Sequence, residues 1–229
     1  MKKSIFLFAL ACLLGGVTSA QASMMSFSKN HSLSTTNWLD AFTFAKFNTS
    51  LGTLTSVKFE LSGLVSGIGR AESKDADPSD VTMDLTARIM LKRPDGTSVV
   101  IINPVYLQEF SFSAFDGTVD FAGTSGASTG LVTSSKALDS FTSSGAADLA
   151  LFSSAGNEMV TLDLKATGKS FATGAGNLVV DIATSAASAA TVTYIYTAVP
   201  VNIAEPETSS MLLGGLGLLG FMVRRRKFI

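Results

Sequence analysis

Between Val81 and Leu91 apolar residues recur at every second position. Val81, Met83, Leu85, Ala87, Ile89 and Leu91 alternate with Thr82, Asp84, Thr86, Arg88 and Met90. A period of two fits a strand that buries one face and wets the other, because successive side chains of a strand point to opposite sides of its sheet. The same alternation recurs at Val57/Phe59/Leu61, Phe110/Phe112, Val160/Leu162/Leu164, Leu178/Val180/Ile182 and Val192/Tyr194/Tyr196. Pro94-Asp95-Gly96 and Asp116-Gly117 supply residues that reverse a chain between strands. No stretch before the C-terminal tail keeps a helical period with caps. Eight to ten short strands with such turns predict an all-β domain, a two-sheet β-sandwich or jelly roll.

The two ends have a different character. Lys2-Lys3 precedes an apolar run from Ile5 to Val17, and Ala20-Gln21-Ala22 forms an A-x-A cleavage site before Ser23. Residues 1–22 therefore read as a secretory signal peptide, with Ala20 and Ala22 as its cleavage residues. A lipoprotein signal ending at Cys12 is the rival, and the apolar Leu13-Leu14 continuation argues against it. Cleavage after Ala22 removes the one cysteine of the chain. A domain over residues 23–203 then has no thiol for a disulfide, a zinc-thiolate site or a cysteine nucleophile.

At the other end, Ala204-Glu205-Pro206-Glu207 is followed by an apolar run from Ser209 to Val223 and by Arg224-Arg225-Arg226-Lys227. Positive charge beyond an apolar segment holds that side in the cytoplasm. Residues 204–229 thus predict a single C-terminal transmembrane helix, with the preceding domain outside the inner membrane. The 15-residue run is about 22 Å long at ~1.5 Å per residue, against roughly 30 Å of hydrocarbon. A short, glycine-rich segment suits a temporary tether.

The Glu-Pro motif, glycine-leucine segment and arginine cluster together resemble the PEP-CTERM sorting signal of Gram-negative bacteria, over residues 204–229. The resemblance implies a membrane-embedded exosortase as processing partner. Glu205 and Pro206 would be its sorting motif, and Arg224, Arg225, Arg226 and Lys227 its positive stop. It also implies a surface or matrix destination in a bacterium that makes exopolysaccharide. The chain departs from the usual Pro-Glu-Pro at Ala204. A second set of residues resembles the opening of the choice-of-anchor E domain: Thr35-Thr36-Asn37-Trp38, Phe44, Phe47, Leu51-Gly52-Thr53-Leu54, Val57, Leu61-Ser62-Gly63 and Leu91-Lys92-Arg93-Pro94-Asp95-Gly96. That family implies an envelope protein and brings no catalytic residues to carry over.

Charge narrows the partners. The chain has 17 basic and 18 acidic residues; six of the former and two of the latter lie in the terminal segments, leaving residues 23–203 with a net charge of about −5. No basic patch remains for nucleic acid. Phe42, Phe44, Phe47 and Phe59, then Phe110, Phe112, Phe115 and Phe121, alternate with polar residues and read as core. Trp38, with Tyr106, Tyr194 and Tyr196, is the better candidate for stacking on a sugar. Ser, Thr, Ala and Gly dominate Gly123 to Ser154 and Gly174 to Ala190, which read as long loops or as small-residue strands.

Several motifs invite chemistry and lack its context. Gly126-Ala127-Ser128-Thr129-Gly130 fits G-x-S-x-G, but the nucleophile elbow needs a strand–turn–helix and a later histidine, and His31 comes earlier. Gly168-Lys169-Ser170 mimics the end of a Walker A loop, with Asp163 where the first glycine belongs. Glu72, Asp75, Asp77, Asp80 and Asp84 offer oxygens to calcium, yet the EF-hand spacing is missing and Pro78 interrupts the run. They read as a solvated acidic loop. No cofactor, metal site or catalytic residue is expected. The resulting expectation is a non-enzymatic exported protein, tethered to the inner membrane and then released to the surface among exopolysaccharide. A carbohydrate-binding module using Trp38 is the alternative, with a hydrolase of envelope polymers behind it.

Overall fold

The computed structural model describes residues 22–199 and 208–225. The chain divides into two compact units, a body ending at Ala198 and a second unit that contains the C-terminal helix. The body consists of β1 (Ala22–Thr35), β2 (Leu39–Ala45), β3 (Phe47–Asn48), β4 (Gly52–Ser73), β5 (Ser79–Lys92), β6 (Ser98–Ile102), β7 (Val105–Phe112), β8 (Gly126–Ser128), β9 (Val132–Ser143), the helix α1 (Ala146–Leu151), β10 (Ser153–Ser154), β11 (Met159–Gly168), β12 (Phe171–Thr173) and β13 (Leu178–Ala198).

These strands form two main sheets. In the first, β1 pairs antiparallel with β13 and β13 with β4, while β9 and β8 share the far edge of β4. In the second, β2 pairs with β11, β11 and β12 follow one edge of β5, and β6 and β7 follow its other edge. β3 and β10 make a short parallel pair.

The alternation of β5 is realised without a break. Val81, Met83, Leu85, Ala87, Ile89 and Leu91 are all buried, and none of the residues between them is. Both sheets feed the main core: Phe42, Phe44, Ile89, Leu91, Leu162 and Leu164 from one, Val57, Phe59, Leu61, Val192 and Tyr194 from the other. A smaller cluster of Ala71, Val81, Met83, Leu85 and Phe112 fills one end. The Tyr194 side chain is fully buried; its hydroxyl donates to the Ala45 carbonyl at 2.7 Å, and burial pushes the phenol pKa up.

Strand lengths differ from the sequence-based expectation of short strands. β4 has 22 residues and β13 has 21, and they pair along their whole length with one irregularity at Ile195/Tyr196. Close approach between the sheets is the reason their small residues are tolerated. A Cβ on Gly63 would lie 2.6 Å from Ile89 Cδ1, and one on Gly69 would lie 2.6 Å from Met83 Sδ. The stretch Gly174–Ala190 is therefore mostly strand, and Gly123–Ser154 supplies β8, β9 and α1. The helix α1 breaks the expectation of no helix before the tail; at six residues it is too short to leave a periodic signal.

Phe42, Phe44, Phe47 and Phe59 are core, as expected, as is Phe112; Phe110, Phe115 and Phe121 are only partly covered. Pro94-Asp95-Gly96 makes the β5–β6 turn: Gly96 sits at φ 83° and donates to the Arg93 carbonyl, and Thr97 N donates to Asp95 Oδ1 at 2.8 Å.

The C-terminal unit contains α2 (Thr208–Arg225), 18 residues long. The expected transmembrane helix needs correction here. Among the described residues no helix is long and apolar enough to cross a membrane. Two serines open α2, four glycines interrupt its leucines and two arginines close it, so its apolar portion is short and diluted. Leu216, Leu218, Leu219, Phe221 and Met222 are nonetheless exposed.

Candidate functional site

The most concentrated polar and aromatic arrangement in the body lies where the chain passes from the first sheet to the second. After β1, Thr36 N donates to the Thr184 carbonyl of β13 at 3.0 Å. Asn37 then adopts φ 72°, a left-handed conformation that asparagine tolerates. Trp38 follows and binds both sheets: its Nε1–H donates to the Ala186 carbonyl at 3.2 Å, and its own carbonyl accepts from Ala166 N of β11 at 3.1 Å.

His31 of β1 stacks on the indole, with ring centroids 3.9 Å apart and planes 23° off parallel. Its Nδ1 lies 2.7 Å from Asp40 Oδ2 of β2. That bond, with a second from Ala41 N, holds the Asp40 carboxyl below the usual carboxylate range. An ionised Asp40 requires the ring proton on Nδ1. Nε2 is buried without a hydrogen-bond partner. Trp38 is half-buried, and one of the two faces that an indole can offer a sugar is covered by His31. His31 also lines a shallow groove of about 410 Å³ that runs over β1, β13, β4 and β9, with Asn30, Ser62, Leu64, Ser135 and Ala187.

Of the acidic run, Asp77 and Asp80 are exposed as expected of a solvated loop, whereas Glu72 is not. Glu72 belongs to β4 and is fully buried: Ser125 Oγ donates to Oε1 at 2.6 Å and Phe121 N to Oε2 at 2.7 Å. Asp75 receives Gly176 N at 2.6 Å and Asn177 N at 3.0 Å. Asp80 accepts from Ser111 Oγ, and Asp84, on the outer side of β5, accepts from Thr86 Oγ1. Glu72 and Asp75 anchor separate loops, whereas Asp80 and Asp84 lie on β5. Among the described residues no group of three or more His, Cys, Asp or Glu side chains is placed to hold a metal ion.

The other motifs serve the sheets. Ser128 of the G-x-S-x-G segment ends β8, accepts from Gly130 N at 3.1 Å, and is followed by β9 and not by a helix. In Gly168-Lys169-Ser170, Lys169 N donates to the Thr86 carbonyl at 2.8 Å, which occupies the amide that a phosphate loop would leave free. Ala22 opens β1, and Arg224 and Arg225 are the last residues of α2. Ala20, Glu205, Pro206, Arg226 and Lys227 lie outside the described residues. The pair that sequence reasoning missed is Arg93 and Asp148, joined by two hydrogen bonds of 2.7 Å. Their 55-residue separation leaves no local signal.

The described residues define a mostly β body of two sheets, followed by a short apolar helix. Comparison with known families identifies a PEP-CTERM protein-sorting motif at residues 205–227. A motif of this kind implies export and a substrate that exosortase sorts to the cell surface. Its match begins at Glu205, so the departure at Ala204 lies just outside it. No curated protein matches the chain. Among solved structures the chain aligns with the infectious bursal disease virus Gx strain at 12% identity, over 91% of this chain and 54% of that one, with a TM-score of 0.13. The Gt strain of the same virus aligns at 12% identity over 93% and 55%, with a TM-score of 0.11. Its VP2 subviral particle aligns at 13% identity over 90% and 49%, with a TM-score of 0.13. The chain spans about half the length of these proteins, and TM-scores this low carry no argument about fold or function.

Proposed function

We propose that this chain is an exported, non-enzymatic surface protein. Its leader is removed after Ala22, its tail is cut by exosortase, and its β body is left in the extracellular matrix among exopolysaccharide. The sorting motif over residues 205–227 carries this reading. The order of parts gives it a mechanism. Glu205-Pro206-Glu207 comes first, with charge and a proline that disfavours a helix interior, the apolar segment follows, and the arginines come last. The segment engages the inner membrane transiently, with positive charge favouring the cytoplasmic side. The exposed leucines of α2 support that engagement. We read the body as a β-sandwich of choice-of-anchor E type, a resemblance that implies an envelope protein.

Mass spectrometry of the mature protein from wild-type and exosortase-deficient cells tests the proposal. A mature C-terminus upstream of Thr208 in the wild type alone is expected. A C-terminus that retains Lys227 in both strains refutes it. The carbohydrate-binding alternative rests on Trp38, and glycan binding that survives Trp38→Ala removes that site.

A further inference from the structure

β1 is an edge. All of its register partners lie on β13, and among the described residues no strand pairs with its other side. Such an edge presents a row of unpaired N–H and C=O groups, which proteins ordinarily blunt with proline, charge, a bulge or short length. β1 has 14 residues, no proline, no acidic residue and Lys29 as its one basic residue besides His31. Its irregularity falls between His31 and Ser34, so Ala22–His31 runs in unbroken register, about 33 Å of strand at ~3.3 Å per residue. At the opposite edge of this sheet β9 is tied to β7, where Ser134 Oγ donates to the Val105 carbonyl at 2.6 Å.

The molecule itself offers a complementary strand, the same edge of a second copy. Antiparallel self-pairing uses identical donors and acceptors on both sides and closes after two copies, as a two-fold interface does. We propose that two copies of this chain pair antiparallel along Ser23–His31 about a two-fold axis at Phe27, so that one continuous sheet runs through both bodies.

The position of the axis follows from the side chains. Residues opposite one another in an antiparallel pair share a face of the sheet. With the axis at Phe27, the two Phe27 rings face each other, and Met25 faces Lys29 of the second copy. Met25 and Phe27 already pack against the main core, so the pairing extends that core across the axis, and the Lys29 stem covers Met25. On the outer face, exposed Met24 meets Asn30 and Ser26 meets Ser28. An axis at Lys29 sets lysine against lysine. An axis at Met25 shortens the pairing, because Lys29 would then need a partner before Ala22.

Sedimentation of the chain freed of its leader, which begins at Ser23 and has no cysteine, tests this, and a dimer is expected at micromolar concentration. Ser26→Lys with Ser28→Lys puts lysine opposite lysine at both 26/28 contacts and raises the dimer dissociation constant about tenfold. Ser26→Lys with Ser28→Glu puts lysine opposite glutamate and keeps the dimer. Both double variants lose the same hydroxyl contacts, Ser26 to Thr193 and Ser28 to Thr191 at 2.8 Å each, so a general weakening of the body does not distinguish them. Association through α2 is equally unaffected by either. Phe27→Cys, at the axis, oxidises to a cross-linked dimer, whereas Thr118→Cys does not. A monomeric wild type, a dimer that the two double variants affect equally, or open-ended assembly overturns the proposal. So does a dimer formed only with a foreign polypeptide.

Discussion

Arg93 fixes the position of α1 through a single carboxylate. Its Nε–H and Nη2–H reach both oxygens of Asp148 at 2.7 Å, with 17% and 12% of the two side chains exposed, and its guanidinium lies 6.0 Å from the Phe141 ring centre. Removing one partner of a buried pair leaves an uncompensated charge, worth ~3–5 kcal/mol when burial is complete. Partial exposure here brings the expected loss for Arg93→Ala to about 2–3 kcal/mol, read as a lower urea midpoint at unchanged slope. Arg93 also holds the Asp148 carboxyl below its ordinary 3.8, chiefly through the hydrogen bonds. A depressed folded pKa stabilises the protein above the unfolded value, and that contribution fades as pH falls through the folded one. Urea midpoints are therefore expected to drop below about pH 4, and Asp148→Asn to flatten that drop. Glu72 is the second residue with a large expected effect. Its truncation to Ala orphans Phe121 N and the Ser125 hydroxyl, at a cost of ~1–3 kcal/mol. Protease sensitivity confined to the segment 113–126 is the expected sign.

At the scale of elements, β4 and β13 make the body one piece. Sequence alternation located their ends, Val57/Phe59/Leu61 in one and Leu178/Val180/Ile182 with Val192/Tyr194/Tyr196 in the other, as separate short strands. The intervening Gly63, Gly67 and Gly69, and the run Thr184–Ala190, look like breakers because glycine and alanine carry little strand preference. Space from the opposite sheet decides the matter. Ile89 Cδ1 and Ile102 Cδ1 occupy the volume beside Gly63 that a Cβ would need. Gly63→Ala is accordingly expected to cost ~1–3 kcal/mol through overpacking. Adding Ile89→Val, which removes Cδ1, is expected to recover part of that loss, so a double-mutant cycle in thermal melting would show coupling. Additive losses would place the strain elsewhere. The helix α1 was illegible for a different reason: it is too short for a period and is held by a distant arginine.

At the scale of the whole molecule, chain order and spatial order disagree. β13 is the last strand in sequence, yet it is central to the first sheet: every one of its residues pairs with β4, and β1 lies on its other side. A chain cut after Gly176 is expected to lack a stable body, seen as lost β signal in circular dichroism and rapid proteolysis of the entire segment. Survival of a protected core would contradict this. Long-range pairing of this kind also makes folding slow, and it delays completion until the residues next to the sorting tail have been exported. The sequence alone determined the strand character of β5, the core role of the first phenylalanine group and the presence of the sorting motif. Each is local: a period of two, or a motif of consecutive residues, needs no distant partner to be read. Only the tertiary structure decided that Trp38 ties two sheets together under His31, that Glu72 is a buried anchor, and that β1 ends the sheet as a free edge. Those outcomes depend on groups far along the chain, as with Trp38 and Ala186, 148 positions apart, and contacts at that separation leave no periodic trace in the residues that make them.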